Sequence, residues 1–176
     1  ALECPFRTTR QAIEALSSEA KVIIVDIHAE ATSEKTALGW YLDGKVSAVL
    51  GTHTHVQTAD ERILPEGSAF ITDVGMAGPM NSVIGRKIED VLARFITAIP
   101  RRFEVASENI QLQGVVLDID ENTGKARSIV RIQRKLLECK NQNFLVIACI
   151  SFLLNFFFFD QSIVLPKSSL INLGMI

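Results

Sequence analysis

The three histidines of this 176-residue chain, His28, His53 and His55, fall close together, each at or just past the end of an apolar, β-branched run. Neutral imidazole is the commonest metal ligand. In an extended chain, residues two apart point to the same side, so Gly51-Thr52-His53-Thr54-His55 can offer two imidazoles to one small volume while Thr54 faces away. His28 would arrive from a neighbouring strand end, and three such donors can hold Zn, Mn or Fe. Asp26, Glu30 and Asp73 lie close to this pattern, and one of them accepting a free imidazole N–H would fix a ligand's tautomer. Each has a plainer alternative. An Asp at a strand end commonly serves a turn, Glu30 can be a solvated carboxylate, and a bare His-x-His is equally a polar loop. His28 on the adjacent strand end tips the reading toward metal.

The elements that must position these residues can be read from periodicity. Thr8 to Ala20 spaces Ala12, Ile13, Leu16 and Ala20 at helical intervals, with Thr8 or Thr9 as the expected N-cap. Val22-Ile23-Ile24-Val25 lacks polar alternation, as a strand buried on both faces does. Ser33 to Leu42 reads as a helix capped by Ser33 or Thr32 and stopped at Asp43-Gly44. Val46 to Leu50 and Ala69 to Thr72 read as two further strands, the latter ending in Asp73-Val74-Gly75. Strand, helix, strand is a βαβ unit, whose crossover makes the strands parallel and brings both histidine clusters to one rim. Ile88 to Ile99 predicts a helix ended by Pro100, on which Ile110 to Ile119, the turn Glu121-Asn122-Thr123-Gly124 and Ser128 to Ile132 follow as a β-hairpin. Trp40 and Tyr41 read as core and rim packing.

Composition narrows the classes. With 18 basic and 20 acidic side chains, net -2, there is no basic surface to hold nucleic acid, and a phosphate-bearing substrate would need a local device such as a metal. Cys4, Cys139 and Cys149 form no C-x-x-C pair, which fits a reducing cytoplasm better than a disulfide framework. The chain opens on Ala1 rather than Met, with no leader-like segment.

After about Lys135 the sequence changes in kind: six of the ten phenylalanines lie between Phe144 and Phe159, without a charge from Asn141 to Phe159. That apolar run of 16 residues is shorter than the roughly 17–25 needed to span a bilayer and is interrupted by Asn155. The expected division is therefore 1–134, part of one α/β domain, and 135–176, an apolar tail; a membrane anchor preceded by Arg131, Arg134, Lys135 and Lys140 is the weaker reading of that tail.

The runs His28-Ala29-Glu30-Ala31-Thr32-Ser33-Glu34-Lys35, Gly51-Thr52-His53-Thr54-His55-Val56-Gln57-Thr58-Ala59-Asp60 and Ile71-Thr72-Asp73-Val74-Gly75-Met76 closely resemble the YmdB-like, calcineurin-type bacterial metallophosphoesterases, over about Cys4 to Arg131. The resemblance implies a sandwich of two sheets flanked by helices, of which this chain would be the C-terminal half. It also implies hydrolysis of 2',3'-cyclic nucleotides with two divalent metals, Fe or Mn ahead of Zn or Mg. His28 and His53 would then ligate one metal and His55 the other. The family's Asp, bridging Glu and Asn ligands and its proton-donating His would lie in an N-terminal half outside this sequence, so the chain alone is expected to be inactive. The expected partner is a small phosphodiester or nucleotide, with a homo-oligomer left open. A non-catalytic gene remnant, or an amidohydrolase-type metal hydrolase with His-x-His at a strand end, are the alternatives.

Overall fold

The computed structural model describes residues 3–135 and 169–174. Helix α1 (Pro5–Leu16) begins three residues before the expected Thr8, because Pro5, with its fixed φ and no N–H, seats itself at the first helical turn behind Cys4. Neither Thr8 nor Thr9 is the cap; Thr9 donates its hydroxyl back to the Pro5 carbonyl at 2.6 Å from inside the helix. Strand β1 (Ile23–His28), helix α2 (Thr32–Leu42) and strand β2 (Ala48–Thr52) form the expected βαβ unit, and β1 and β2 pair in parallel with His28 beside Thr52. Helix α2 starts from Ala31 without a side-chain cap, against the expectation of Thr32 or Ser33 in that role.

The short strand β3 (Arg62–Ile63) runs antiparallel to β4 (Ala69–Ile71), which pairs in parallel with β2. A second sheet joins β5 (Ala77–Pro79), β6 (Ile110–Ile119) and β7 (Ala126–Lys135), all antiparallel, with α3 (Ile88–Thr97) between β5 and β6. The hairpin extends beyond the expected strand limits, with β7 running through to Lys135. Strand β8 (Ser169–Gly174), from the region set apart as a tail, pairs in parallel with all of β1 and gives the order β3-β4-β2-β1-β8. The Phe144–Phe159 run lies outside the described residues.

Alternation along the strands divides the core. Ile23, Val25, Ile27 and Val49 point to one side and pack with Ile13 of α1 and Leu38 and Leu42 of α2. Ile24, Ala48, Leu50 and Ile71 point to the other and meet Val115 and Ala126 of the second sheet, so the two sheets are glued face to face. Full burial of each large aliphatic side chain contributes about 1.5–3 kcal/mol. Of the pair read as core and rim packing, Tyr41 packs against the core cluster and Trp40 is half exposed beneath the Arg62 guanidinium. Helix α3 buries Val91 but leaves Leu92, Phe95 and Ile96 in solvent, Phe95 at 80% and Ile96 at 81%.

Gly51 is the tightest point of the parallel sheet: a Cβ there would lie 1.7 Å from the Thr72 carbonyl oxygen, which is backbone and cannot swing away. Gly51→Ala is therefore expected to lose about 3 kcal/mol or more of unfolding free energy, or to be recovered insoluble. Gly78→Ala, whose methyl meets the flexible Met76 side chain at 3.4 Å, should unfold close to the wild-type midpoint. Urea denaturation of the two variants side by side checks this, and equal midpoints would refute the reading of Gly51.

Candidate metal centre

His28 is the last residue of β1 and Thr52 the last of β2, so the parallel register sets them side by side at the rim. The His28 Nδ1 lies 3.0 Å from the Thr52 hydroxyl. That hydroxyl lies 3.2 Å from both Asp26 Oδ1 and the Ile27 carbonyl, and its single proton goes to one of them. With that proton so placed it accepts from His28, which puts the imidazole proton on Nδ1 and makes Nε2 the unprotonated nitrogen, the acceptor toward His53. His28 Nε2 stands 3.1 Å from His53 Nδ1, with ring centroids 4.9 Å apart and planes at 71°.

The donor set can be tested against a cation by distance. Two imidazole nitrogens at about 2.0–2.1 Å from one ion are roughly 2.9–3.4 Å apart for ligand angles between octahedral and tetrahedral. The observed 3.1 Å fits. Burial first, and the neighbouring His53 second, hold the His28 pKa below its ordinary value, which favours the neutral ring a metal requires.

The expectation that an extended chain aligns His53 with His55 is corrected. Strand β2 stops at Thr52 and the chain turns, with His53 at φ 118° and His55 at φ 64°. The turn is held by Asp73, two residues past the end of β4, which accepts the Thr54 N–H at 2.8 Å and draws the chain toward it. His55 is placed by a different contact, Nδ1 lying 3.2 Å from the Ile84 carbonyl, which can only accept. Its Nε2 is therefore also the unprotonated nitrogen in the neutral ring. The structure thus brings His28 and His53 into contact and sets His55 near enough to disfavour charge on His28. Among the described residues no three His, Cys, Asp or Glu side chains converge as a metal-holding group.

The carboxylates divide by role. Asp26 Oδ1 meets the Thr52 hydroxyl, which in turn meets His28, and the Asp26 charge also acts on the His28 ring. Glu30 is exposed on the loop between β1 and α2. Asp73 is wholly buried and contacts backbone and Lys35, with Nζ 3.4 Å from Oδ2. Sequence reasoning missed Lys35 and Thr52. The signal for Lys35 was its position in the buried stripe Lys35, Leu38, Gly39, Leu42, at spacing i, i+3, i+4, i+7, where a charge is out of place. Asp60 supports the same rim from behind, accepting from both the hydroxyl and the N–H of Thr72. Burial pushes its carboxyl up, but hydrogen bonds from Thr58 and Thr72 outweigh this and bring it below the usual range.

A mostly parallel sheet and an antiparallel sheet packed face to face, with histidines gathered where the parallel strands end, make up part of a two-sheet sandwich of the metallophosphoesterase type. A family model described as YmdB-like protein matches residues 1–132, and the chain belongs to that family. It is 54% identical over 131 residues to the 2',3'-cyclic-nucleotide 2'-phosphodiesterase of Bacillus subtilis, covering 74% of this chain and 50% of that protein. It is 47% identical over 122 residues to a putative phosphatase/phosphodiesterase of Mycoplasma pneumoniae, covering 69% of this chain and 43% of that one. Among solved structures it resembles a hypothetical protein from Thermus thermophilus, with TM-score 0.71 and 42% identity over 77% of this chain and 52% of the other. A novel phosphatase from Mycoplasma pneumoniae gives TM-score 0.69 and 44% identity over 74% and 46%. The chain spans about half the length of the relatives it matches.

The His28 environment predicts its titration. A folded-state pKa below the unfolded one means that the native state binds fewer protons, so this contribution to stability is complete above about 6.5 and fades as pH falls through the folded value. In an NMR titration of the metal-free protein His28 should titrate below the ordinary histidine value, and His53→Ala should raise its midpoint by removing the second cause. A midpoint that falls or stays fixed in the variant would contradict the assigned contact.

Proposed function

We propose that this domain forms part of a two-metal phosphodiesterase acting on 2',3'-cyclic nucleotides. The observation that carries the reading is the pair of ring nitrogens, His28 Nε2 and His53 Nδ1, 3.1 Å apart at the strand ends. Divalent metals, iron or manganese in this reading, would neutralise phosphate charge and make water nucleophilic near neutral pH. His28 and His53 would hold one ion and His55 the other. Thr52 and the Ile84 carbonyl keep the Nε2 lone pairs of His28 and His55 available, and Asp26 supports Thr52. A net charge of -2 fits anion binding by metal rather than by a basic surface.

The printed activity of the Bacillus subtilis relative supports the substrate class. The remaining ligands and the proton donor to the leaving oxygen are assigned to the part of the relatives that this chain does not match. A cytoplasmic site of action belongs to the same reading, supported by the few cysteines and the free thiol of Cys4.

Given as it stands, the chain should show no appreciable turnover of 2',3'-cyclic AMP with Mn²⁺ or Fe²⁺. Mixed with the complementary half of the Bacillus subtilis relative, it should gain metal-dependent hydrolysis. His28→Ala or His53→Ala should then abolish metal uptake and turnover together, as removal of a ligand does. Robust metal-dependent hydrolysis by the chain alone, or full metal content in both variants, would sink the assignment.

A further inference from the structure

Resting on the reading of the rim histidines as ligands, we propose that Lys35 is a positioning residue that holds the 52–55 turn in its ligand-presenting shape. Lysine is almost never fully buried unless paired, yet the Lys35 and Asp73 side chains are both wholly inaccessible. The Lys35 stem crosses the space left by Gly51, its Cδ lying 3.0 Å from where a Cβ would stand. Its Nζ then donates to the Thr52 carbonyl at 3.1 Å and to Asp73 Oδ2 at 3.4 Å.

Those two contacts lie on either side of His53. The Thr52 carbonyl is fixed directly, and the Thr54 N–H is fixed through Asp73 Oδ2 at 2.8 Å, while Asp73 Oδ1 takes the Gly75 N–H at 2.9 Å. His53 itself sits at φ 118°, a backbone region that residues other than glycine seldom occupy without being held. Core packing alone gives no reason for the pair, since well-packed apolar residues in place of a buried ion pair are often neutral or stabilising. What apolar residues could not do is bind the two peptides flanking His53.

The test uses the full chain for amide hydrogen exchange read by NMR, and the chain mixed with the complementary half of the Bacillus subtilis relative for Co²⁺ uptake read by its visible absorption. Lys35→Met strands the Asp73 charge and can fail to fold for that reason alone. The double variant Lys35→Met/Asp73→Asn removes both charges and keeps an acceptor oxygen at position 73. In the double variant the Thr54 amide should exchange at least about ten-fold faster relative to the Val49 amide in the sheet core. Co²⁺ affinity should fall by about 10–100-fold, the effect of losing an outer support of a ligand. Unchanged Thr54 exchange, or faster exchange with unaltered Co²⁺ affinity, overturns the proposal. A wild-type chain that takes up no Co²⁺ even when mixed with the complementary half sinks the ligand reading instead, and the exchange ratio alone then decides whether Lys35 holds the turn.

Discussion

The buried contact between Lys35 and Asp73 is the constraint around which the rim is arranged. Taking two charges out of water costs several kcal/mol per ion, and their attraction offsets this only when further hydrogen bonds satisfy both groups. Here they do: the ammonium also serves the Thr52 carbonyl, and the carboxylate also serves the N–H groups of Thr54 and Gly75. The pair therefore ties α2 to the ends of β2 and β4 at one point. Gly51 is required twice over, once so that β2 can approach the Thr72 carbonyl and once so that the Lys35 stem can pass.

Outward from that point the rim works by assigning protons. Thr52, its own hydrogen committed to Asp26 or Ile27, forces the His28 proton onto Nδ1. The Ile84 carbonyl does the same for His55. Neither assignment of the proton requires a carboxylate as the direct partner of the ring nitrogen; a hydroxyl and a carbonyl suffice. The solved relatives share this fold over about half their length, and the first sheet carries one buried cluster on each face beneath the rim.

Much of this was legible in the sequence, for identifiable reasons. The uninterrupted Val22-Ile23-Ile24-Val25 run announced a strand buried on both faces, and the βαβ order then fixed parallel pairing and a shared rim. The turn at His53 was not legible, because an Asp that bends a loop 19 residues away through one N–H leaves no local pattern. Nor was the start of α1, where the backbone preference of Pro5 outweighed the capping preference of the threonines. The periodicity of α3 was read correctly, but periodicity identifies an apolar face without saying what lies against it, and Leu92, Phe95 and Ile96 face solvent. Strand β8 lies in the stretch that composition sets apart as a tail, and its place beside β1 is a matter of pairing along the edge.

His53 and His55, at φ 118° and 64°, set the chemistry of the rim against the comfort of its backbone. Glycine enters the left-handed region freely and asparagine more readily than most residues, yet neither brings an imidazole. Improving the turn as a piece of chain and keeping it as a ligand site are opposed demands. Selection for thermostability alone, applied to this domain in the laboratory, would tend to drift these two positions toward glycine or asparagine and return a sturdier protein with an emptied rim.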